Sequence, residues 1–229
     1  MMQKRLMLML IIFFSLFGLI NCYAVTVGDS YGGGVVFCVS QTPDTSKCVH
    51  KGSGNYGLIM ANEDLVNYYS NPNHGVHWSS VHTAIPGARS DDDGLANTRA
   101  IIAALPKDNP ANNAAWLCHR YQDPAGSTDQ HLTDWYLLAK NELDKMYVYA
   151  VVNNLIGKGC AGEKPGGVQC LVGGYYGDYM VYWSSTQYPT NSSNAWDQSF
   201  GYGDQSYGNK ILSHRGVRAI RAFNNSTIK

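Results

Sequence analysis

YWSSTQYPTNSSNAWDQSFGYGDQSYGNKILSHRGVRAIRAF, residues 182–223, is the stretch from which the fold of this chain can be argued most directly. Apolar or aromatic residues recur in it at alternate positions, as at Trp196 and Phe200, which is the pattern of strands with one face on a core. Polar turns rich in Gly and Asn separate these runs. The pattern predicts three short strands, at 180–184, 195–200 and 216–223, so the last part of the chain is expected to lie inside a sheet.

The rest of the sequence mixes apolar runs typical of strands with the spacing of apolar residues typical of helices. Pro106 ends one of the helical runs, and the segment 62–89 shows neither pattern. The predicted elements are strands at 31–40, 56–61 and 134–137 and helices at 95–105, 111–121 and 140–156.

Four ordered motifs suggest a known family. They are Trp183-Ser184-Ser185-Thr186 followed by Ala195-Trp196 and Phe200; Arg218-Ala219-Ile220-Arg221-Ala222-Phe223; Asp134-Trp135-Tyr136-Leu137 followed by Lys140-Asn141-Glu142-Leu143 and Met146-Tyr147; and Gly94 with Asn97-Thr98 and Ile101. With these motifs the chain resembles the Lcl C-terminal domain family over about residues 31–223. The family takes its name from a collagen-like surface adhesin of Legionella.

The resemblance implies an α+β fold similar to C-type lectins and to formylglycine-generating enzymes. Two to three helices would flank small antiparallel sheets, much of the chain would be ordered loop, and the first and last strands would pair. The sequence departs from the family in two respects. It has no collagen-like repeat, and Leu138-Ala139 stand where the family has Pro-Ser or Pro-Thr before a helix. Loss of that capping hydroxyl is expected to cost about 1 kcal/mol.

The first 24 residues have the form of a secretory signal peptide. Lys4 and Arg5 precede an apolar stretch at 6–20, and Cys22-Tyr23-Ala24 offers a cleavage site. The alternative is a lipoprotein box with Cys22 acylated, which Asn21 disfavours because it is large and polar. We therefore expect export to the periplasm, the cell surface or the exterior, with residues 25–229 forming one domain whose core spans about 31–223. The apolar stretch is short for a membrane span, and none is expected in the mature form.

Composition excludes some partners. Charged residues are only 15% of the chain, and 17 basic residues balance 17 acidic ones. Loss of Lys4 and Arg5 with the leader would leave a net charge of about −2. No strongly basic surface is expected, so the composition does not predict nucleic acid as a partner. The oligomeric state is left open.

Export determines how the cysteines are interpreted, because disulfides persist in oxidising compartments. Five cysteines remain beyond Cys22. Cys38 and Cys48 enclose nine residues, as do Cys160 and Cys170, which favours two local bridges although spacing alone does not determine the pairing. Cys118 would then be a free thiol, and its helical context predicts that it is buried in the core.

Two groups of residues suggest metals. His74, His77 and His82 lie close in sequence but have no further ligand motif of a zinc site. Asp91, Asp92 and Asp93 could bind calcium, yet they lack the spacing of an EF-hand loop, and capping of the helix that follows explains Asp92 or Asp93 more simply. We therefore predict no cofactor, with calcium as the weaker alternative.

The predicted ligand-binding site is the loop that precedes the last predicted strand. Aromatic rings stack on sugar faces, and Lys and Arg pair with sulfate or carboxylate. The founding adhesin of the family binds sulfated glycosaminoglycans, which implies a comparable role here. The alternatives are a structural or protein-interaction module of the cell envelope and an enzyme of the formylglycine-generating type. The candidate glycan-binding residues are Tyr202, Tyr207, Asn209, Lys210, His214 and Arg215.

Overall fold

The computed structural model describes residues 25–40, 56–65, 75–108, 113–121, 134–156, 171 and 180–224. Within these ranges the chain is a mixed α+β protein with three helices and two sheets. The helices are α1 (Gly94–Ala104), α2 (Ala114–His119) and α3 (Lys140–Val152). The strands are β1 (Ser30–Tyr31), β2 (Gly34–Ser40), β3 (Tyr56–Ala61), β4 (Tyr136–Leu137), β5 (Val181–Gln187), β6 (Asn194–Ser199), β7 (Gln205–Asn209) and β8 (Ala219–Asn224).

The larger sheet has five strands in the order β1-β2-β3-β8-β4, all antiparallel to their neighbours. The last strand, β8, lies between β3 and β4, so the prediction that the chain's last part lies inside a sheet is confirmed. The expected pairing of the first and last strands is wrong, because β3 separates β2 from β8. A side-chain contact instead links β8 to the turn between β1 and β2: Nη1 of Arg221 donates to the carbonyl of Gly32 at 2.9 Å.

Side-chain alternation on the larger sheet divides the core into two parts. Leu58, Met60 and Ile220 point to one face, where they pack with Leu143 and Met146 of α3. The intervening residues point to the other face, where they pack against α1, α2 and three fully buried tryptophans. That second cluster includes Val36, Ile59, Ala219, Ile101, Ala115, Trp78, Trp135 and Trp183. The sheet is therefore buried on both faces, which explains why its strands are nearly continuous apolar runs.

The smaller sheet has three antiparallel strands in the order β5-β6-β7. The predicted strands at 180–184 and 195–200 correspond to β5 and β6, which begin or end within three residues of the predicted bounds. The strand β7 was not predicted. Its residues were expected to form part of a loop. The run QSYGN is polar and contains a glycine, so it has no apolar alternation to indicate a strand.

The start of α3 shows how the missing hydroxyl cap is replaced. Ala139 occupies the cap position and its side chain makes no hydrogen bond. The amide of Lys140 instead donates to Oγ1 of Thr186 at 3.0 Å, and the amide of Asn141 donates to the carbonyl of Asp91 at 2.8 Å. The cap is thus supplied by two distant segments, and it also ties α3 to β5.

Glu142 completes this helix start from inside the protein. Its side chain is fully buried, with Oε2 accepting from the amide of Ala139 at 2.7 Å and Oε1 accepting from the hydroxyl of Tyr136 at 3.1 Å. Burial and the neighbouring Glu142 carboxylate raise the pKa of Tyr136 well above its ordinary value. Gly94 must be glycine here, because a Cβ at that position would lie 2.4 Å from Oε2 of Glu142.

We predict that Thr186→Val destabilises the fold by about 1–2 kcal/mol, because it leaves the amide of Lys140 and the carbonyl of Ser90 without the hydroxyl that each now bonds. Urea unfolding measures the change. Thr186→Ser keeps the hydroxyl and is the matched control, for which we expect a smaller loss. A loss for Thr186→Val no larger than that for Thr186→Ser would show that the hydroxyl contributes no more than the methyl group and would contradict the prediction.

Candidate functional site

A pocket of about 560 Å³ opens at the smaller sheet where β6 turns into β7. Its walls come from all three strands, from the turn that joins β6 to β7 and from the segment that leads to β8. The lining residues are Val181, Asp197, Ser199, Tyr202, Asp204, Gln205, Ser206 and Arg215. Two of them, Tyr202 and Arg215, belong to the site predicted from the sequence.

An ion pair joins Asp197 and Arg215 on one wall of the pocket. Nε of Arg215 donates to Oδ2 of Asp197 at 2.8 Å, and the carboxylate is only 3% exposed. Burial raises the pKa of Asp197, and the guanidinium of Arg215 opposes that rise. The guanidinium also lies over the ring of Trp183, 5.6 Å from its centroid. The positive charge predicted at Arg215 is present, but a carboxylate of the same chain compensates it.

The backbone around Arg215 is held by a two-residue bridge to Val76. The amide of each residue donates to the carbonyl of the other, at 2.9 and 3.2 Å. Gly75 has φ of +153°, and a Cβ there would lie 2.7 Å from the amide nitrogen of Arg215. The close approach of the two segments therefore depends on glycine at this position.

The bridge also packs the ring of His214 against that of His77, with centroids 4.1 Å apart and the planes tilted by 43°. Burial, His77 and Arg215 lower the pKa of His214. His214 thus packs against another part of the protein, beside the pocket and not among its lining residues.

Lys210 is the clearest correction to the predicted site. It was expected to be an exposed cation, but its side chain is fully buried. Nζ donates to Oε1 of Gln187 at 2.7 Å and to the carbonyl of Thr83 at 3.2 Å, and it lies 4.3 Å from the ring centroid of Trp78. Lys210 is therefore a structural residue that joins the segment after β7 to β5.

The other residues of the predicted site, Asn209 and Tyr207, also lie away from the pocket. Oδ1 of Asn209 accepts from the amides of Ile211 and Leu212, so this side chain closes the turn that follows β7. Tyr207 is half exposed and lies opposite Trp196 in the pairing of β6 with β7. Since Asp197 and Ser206 form the next pair, Tyr207 and Trp196 lie on the face of the ribbon away from the ion pair.

On that face three rings form a contiguous surface, which we call the aromatic row: Tyr188, Trp196 and Tyr207. Tyr188 lies 5.0 Å from Trp196 and 4.3 Å from Tyr207, measured between ring centroids. Nζ of Lys140 lies 4.0 Å from the centroid of Trp196. Of these three rings, only Tyr207 is among the residues predicted from the sequence to bind a ligand. Trp196 lies beside Tyr207 because β6 pairs with β7. This contact could not be predicted as long as the residues of β7 were expected to form a loop.

The acidic turn is used for capping. Oδ1 of Asp93 accepts from the amide of Ala96 at 2.8 Å, and Oδ1 of Asp92 accepts from Nδ2 of Asn141 at 2.5 Å. Helix capping by Asp93, which the sequence analysis favoured over calcium binding, is therefore observed. Within the described ranges no three His, Cys, Asp or Glu side chains come together as a metal site would require.

Among the histidines of the suggested zinc group, His77 packs against His214, His82 is exposed, and His74 lies outside the described residues. Cys38 is disulfide-bonded. Its predicted partner Cys48, and the pair Cys160 and Cys170, also lie outside the described residues, so these pairings stay predictions. Cys118 is a free, fully buried thiol whose pKa is raised by burial, as predicted for a core residue.

Comparisons with known proteins add no relative. No protein-family model matches the chain, and no curated protein matches it. The resemblance to the Lcl C-terminal domain family therefore rests on the four motifs. None of the helices in the described part of the chain has the length and apolar character needed to cross a membrane.

We predict that Lys210 makes stability depend on alkaline pH. Burial lowers its pKa to about 8 from 10.5. Between these values the unfolded chain binds more protons than the folded one, so the free energy of unfolding should gain a rising contribution from pH 8 upward. Urea unfolding across that range should show the contribution in the wild type and not in Lys210→Met.

Lys107→Met is the control for loss of a positive charge, because Lys107 is exposed. Its unfolding free energy should follow the wild-type pH profile. A Lys210→Met profile parallel to that of the wild type would contradict the assignment.

Proposed function

We propose that this protein is an exported, non-catalytic domain that binds hydroxyl-rich glycans in the pocket on the smaller sheet. The observation that carries the proposal is the lining of that pocket, where an exposed aromatic ring stands beside carboxylate and hydroxyl groups. Saccharides are recognised by this combination, because rings stack on the apolar faces of sugars and polar planar groups bond their hydroxyls.

Tyr202 supplies the ring. It lies in the turn between β6 and β7, and 60% of its surface is exposed although it is large and largely apolar. Asp204, Gln205 and Ser206 follow it along the wall of the pocket. A pyranose seated on Tyr202 would therefore meet hydrogen-bonding groups at its edge.

The charges of the pocket favour a neutral sugar over a sulfated one. Asp197 and Asp204 contribute two carboxylates against the one guanidinium of Arg215, which already pairs with Asp197. Lys210, the second cation expected to bind sulfate, is buried. An added sulfate would bring negative charge towards a wall that is already net acidic.

Export is supported by the disulfide at Cys38, because such bonds persist in oxidising compartments. The signal peptide proposed for residues 1–24 agrees with it. We further propose that the fold belongs with C-type lectin-like and formylglycine-generating-enzyme-like domains, as the four motifs imply, and the α+β architecture is compatible with this. An enzyme of the latter type would need reactive thiols, whereas the described cysteines are disulfide-bonded at Cys38 and buried at Cys118.

The test is binding of the chain from residue 25 onward to an array that holds neutral glycans and sulfated glycosaminoglycans. We expect binding to neutral glycans that changes little with salt, because no net charge attraction is involved. Tyr202→Ala should weaken it about tenfold, which corresponds to ~1.4 kcal/mol.

Tyr207→Ala is the matched control, since it removes the same ring from the opposite face of the β6–β7 ribbon. It should leave glycan binding unchanged. No binding by folded protein would refute the proposal. Salt-sensitive binding to sulfated glycans alone, insensitive to Tyr202→Ala, would show that both the ligand class and the site are wrong.

A further inference from the structure

The outer edge of β7 carries backbone groups that point away from its sheet. The amide and carbonyl of Asn209 bond Ser213 on the side away from β6, whereas the carbonyl of Asp204 and the amide of Lys210 bond residues of the β6 side. Backbone groups alternate in direction along a strand. The amides and carbonyls of Gln205 and Tyr207 therefore face outward, and β6 is the only strand that pairs with β7 in the described part of the chain.

Edge strands in natural proteins are usually protected by proline, charged side chains, bulges or covering segments. β7 has none of the first three. Its run QSYGN contains no proline and no charge, and its pairing with β6 continues in register over five residue pairs. Ser206 and Tyr207 are also exposed. In the described part of the chain the edge is regular, and its exposed residues are accessible to another strand.

The surroundings of the edge are apolar on one side. Tyr207 is 50% exposed and belongs to the aromatic row, and Leu212, in the turn just beyond β7, is 71% exposed. Side chains directly opposite each other on adjacent strands share a face. A residue opposite Tyr207 on an added strand would therefore contact the aromatic row, while a residue opposite Ser206 would face the rim of the pocket.

We propose that β7 is a docking edge for an extended peptide segment of a protein partner, which adds to the smaller sheet as a fourth strand. Main-chain hydrogen bonds to Gln205 and Tyr207 provide the affinity, and an apolar side chain on the aromatic row provides the selectivity. The absence of charge in β7 fits an uncharged segment that alternates apolar with small polar residues.

The size of the edge favours a peptide over a second copy of the chain. A stable dimer usually buries about 800 Å² on each partner. An edge of five residues, of which two turn their amide and carbonyl outward in the described part of the chain, provides far less when two β7 strands meet. A short peptide segment that is already extended can bind through an edge of this size.

The test uses acetylated and amidated pentapeptides with threonine at the first, third and fifth positions and each apolar residue in turn at the second and fourth. We expect members of this set to bind the chain from residue 25 onward. Each binding peptide is compared with two analogues, N-methylated at odd or at even positions. Only one of the two should lose binding, because alternate amides of an added strand face β7.

Two substitutions at one position separate the backbone from the ring. Tyr207→Val and Tyr207→Pro both remove the ring, but only proline removes the outward amide, and an edge strand tolerates it there. We expect Tyr207→Pro to bind at least about tenfold more weakly than Tyr207→Val, provided that both variants melt cooperatively. Should Tyr207→Pro not fold, hydrogen exchange decides: the peptide should protect the amides of Gln205 and Tyr207 in the wild type.

Three results would overturn the proposal. They are no binding by any member of the set up to about 1 mM, equal tolerance of both N-methylation patterns, and binding without protection of those two amides. A concentration-dependent dimer that protects the same amides in the absence of peptide would assign the edge to a second copy instead. None of these results depends on whether the pocket binds a glycan.

Discussion

The structure depends on the buried polar segment 183–187 of β5. β5 starts as a regular partner of β6, but its register shifts between Trp183 and Gln187. Its amides then bond other parts of the chain: those of Trp183, Ser185 and Gln187 donate to the carbonyls of Gly216, Leu138 and Ala88. Because a buried amide without a partner costs ~1–3 kcal/mol, these segments cannot be positioned independently of β5.

The same segment determines which cations are available to a ligand. Gln187 holds the buried ammonium of Lys210, and the indole nitrogen of Trp183 donates to the carbonyl of Val76 at 2.7 Å, beside the bridge that carries Arg215. The two cations predicted to pair with sulfate, Lys210 and Arg215, are thereby bonded within the protein, and Lys210 is completely buried. A net acidic pocket edged by a tyrosine is the surface that remains.

Periodicity predicted the elements that face a core, since burial on one face leaves a regular trace in the sequence. It therefore located the three helices of the described residues and the strands of the larger sheet. Asp92 or Asp93 was expected to cap α1, and Asp93 does so. Periodicity could not locate β7, whose residues contact solvent and a ribbon partner, nor the burial of Lys210, which depends on Gln187 and Thr83 from distant segments. The pocket and the aromatic row are both built partly from residues of β7, so neither could be predicted without that strand.

The β6–β7 ribbon gives its two faces different chemistry because side chains alternate along each strand. Asp197 and Ser206 face the pocket, whereas Trp196 and Tyr207 form the other surface. A slip of one residue would exchange the two faces, so the register must be held firmly. Gly208 fixes the register of β7 against β6, because a Cβ at that position would lie 2.7 Å from the ring of Trp183 and 3.0 Å from Oδ2 of Asp197. Only glycine can lie opposite Ala195 there, and the residues on either side are thereby assigned to their faces.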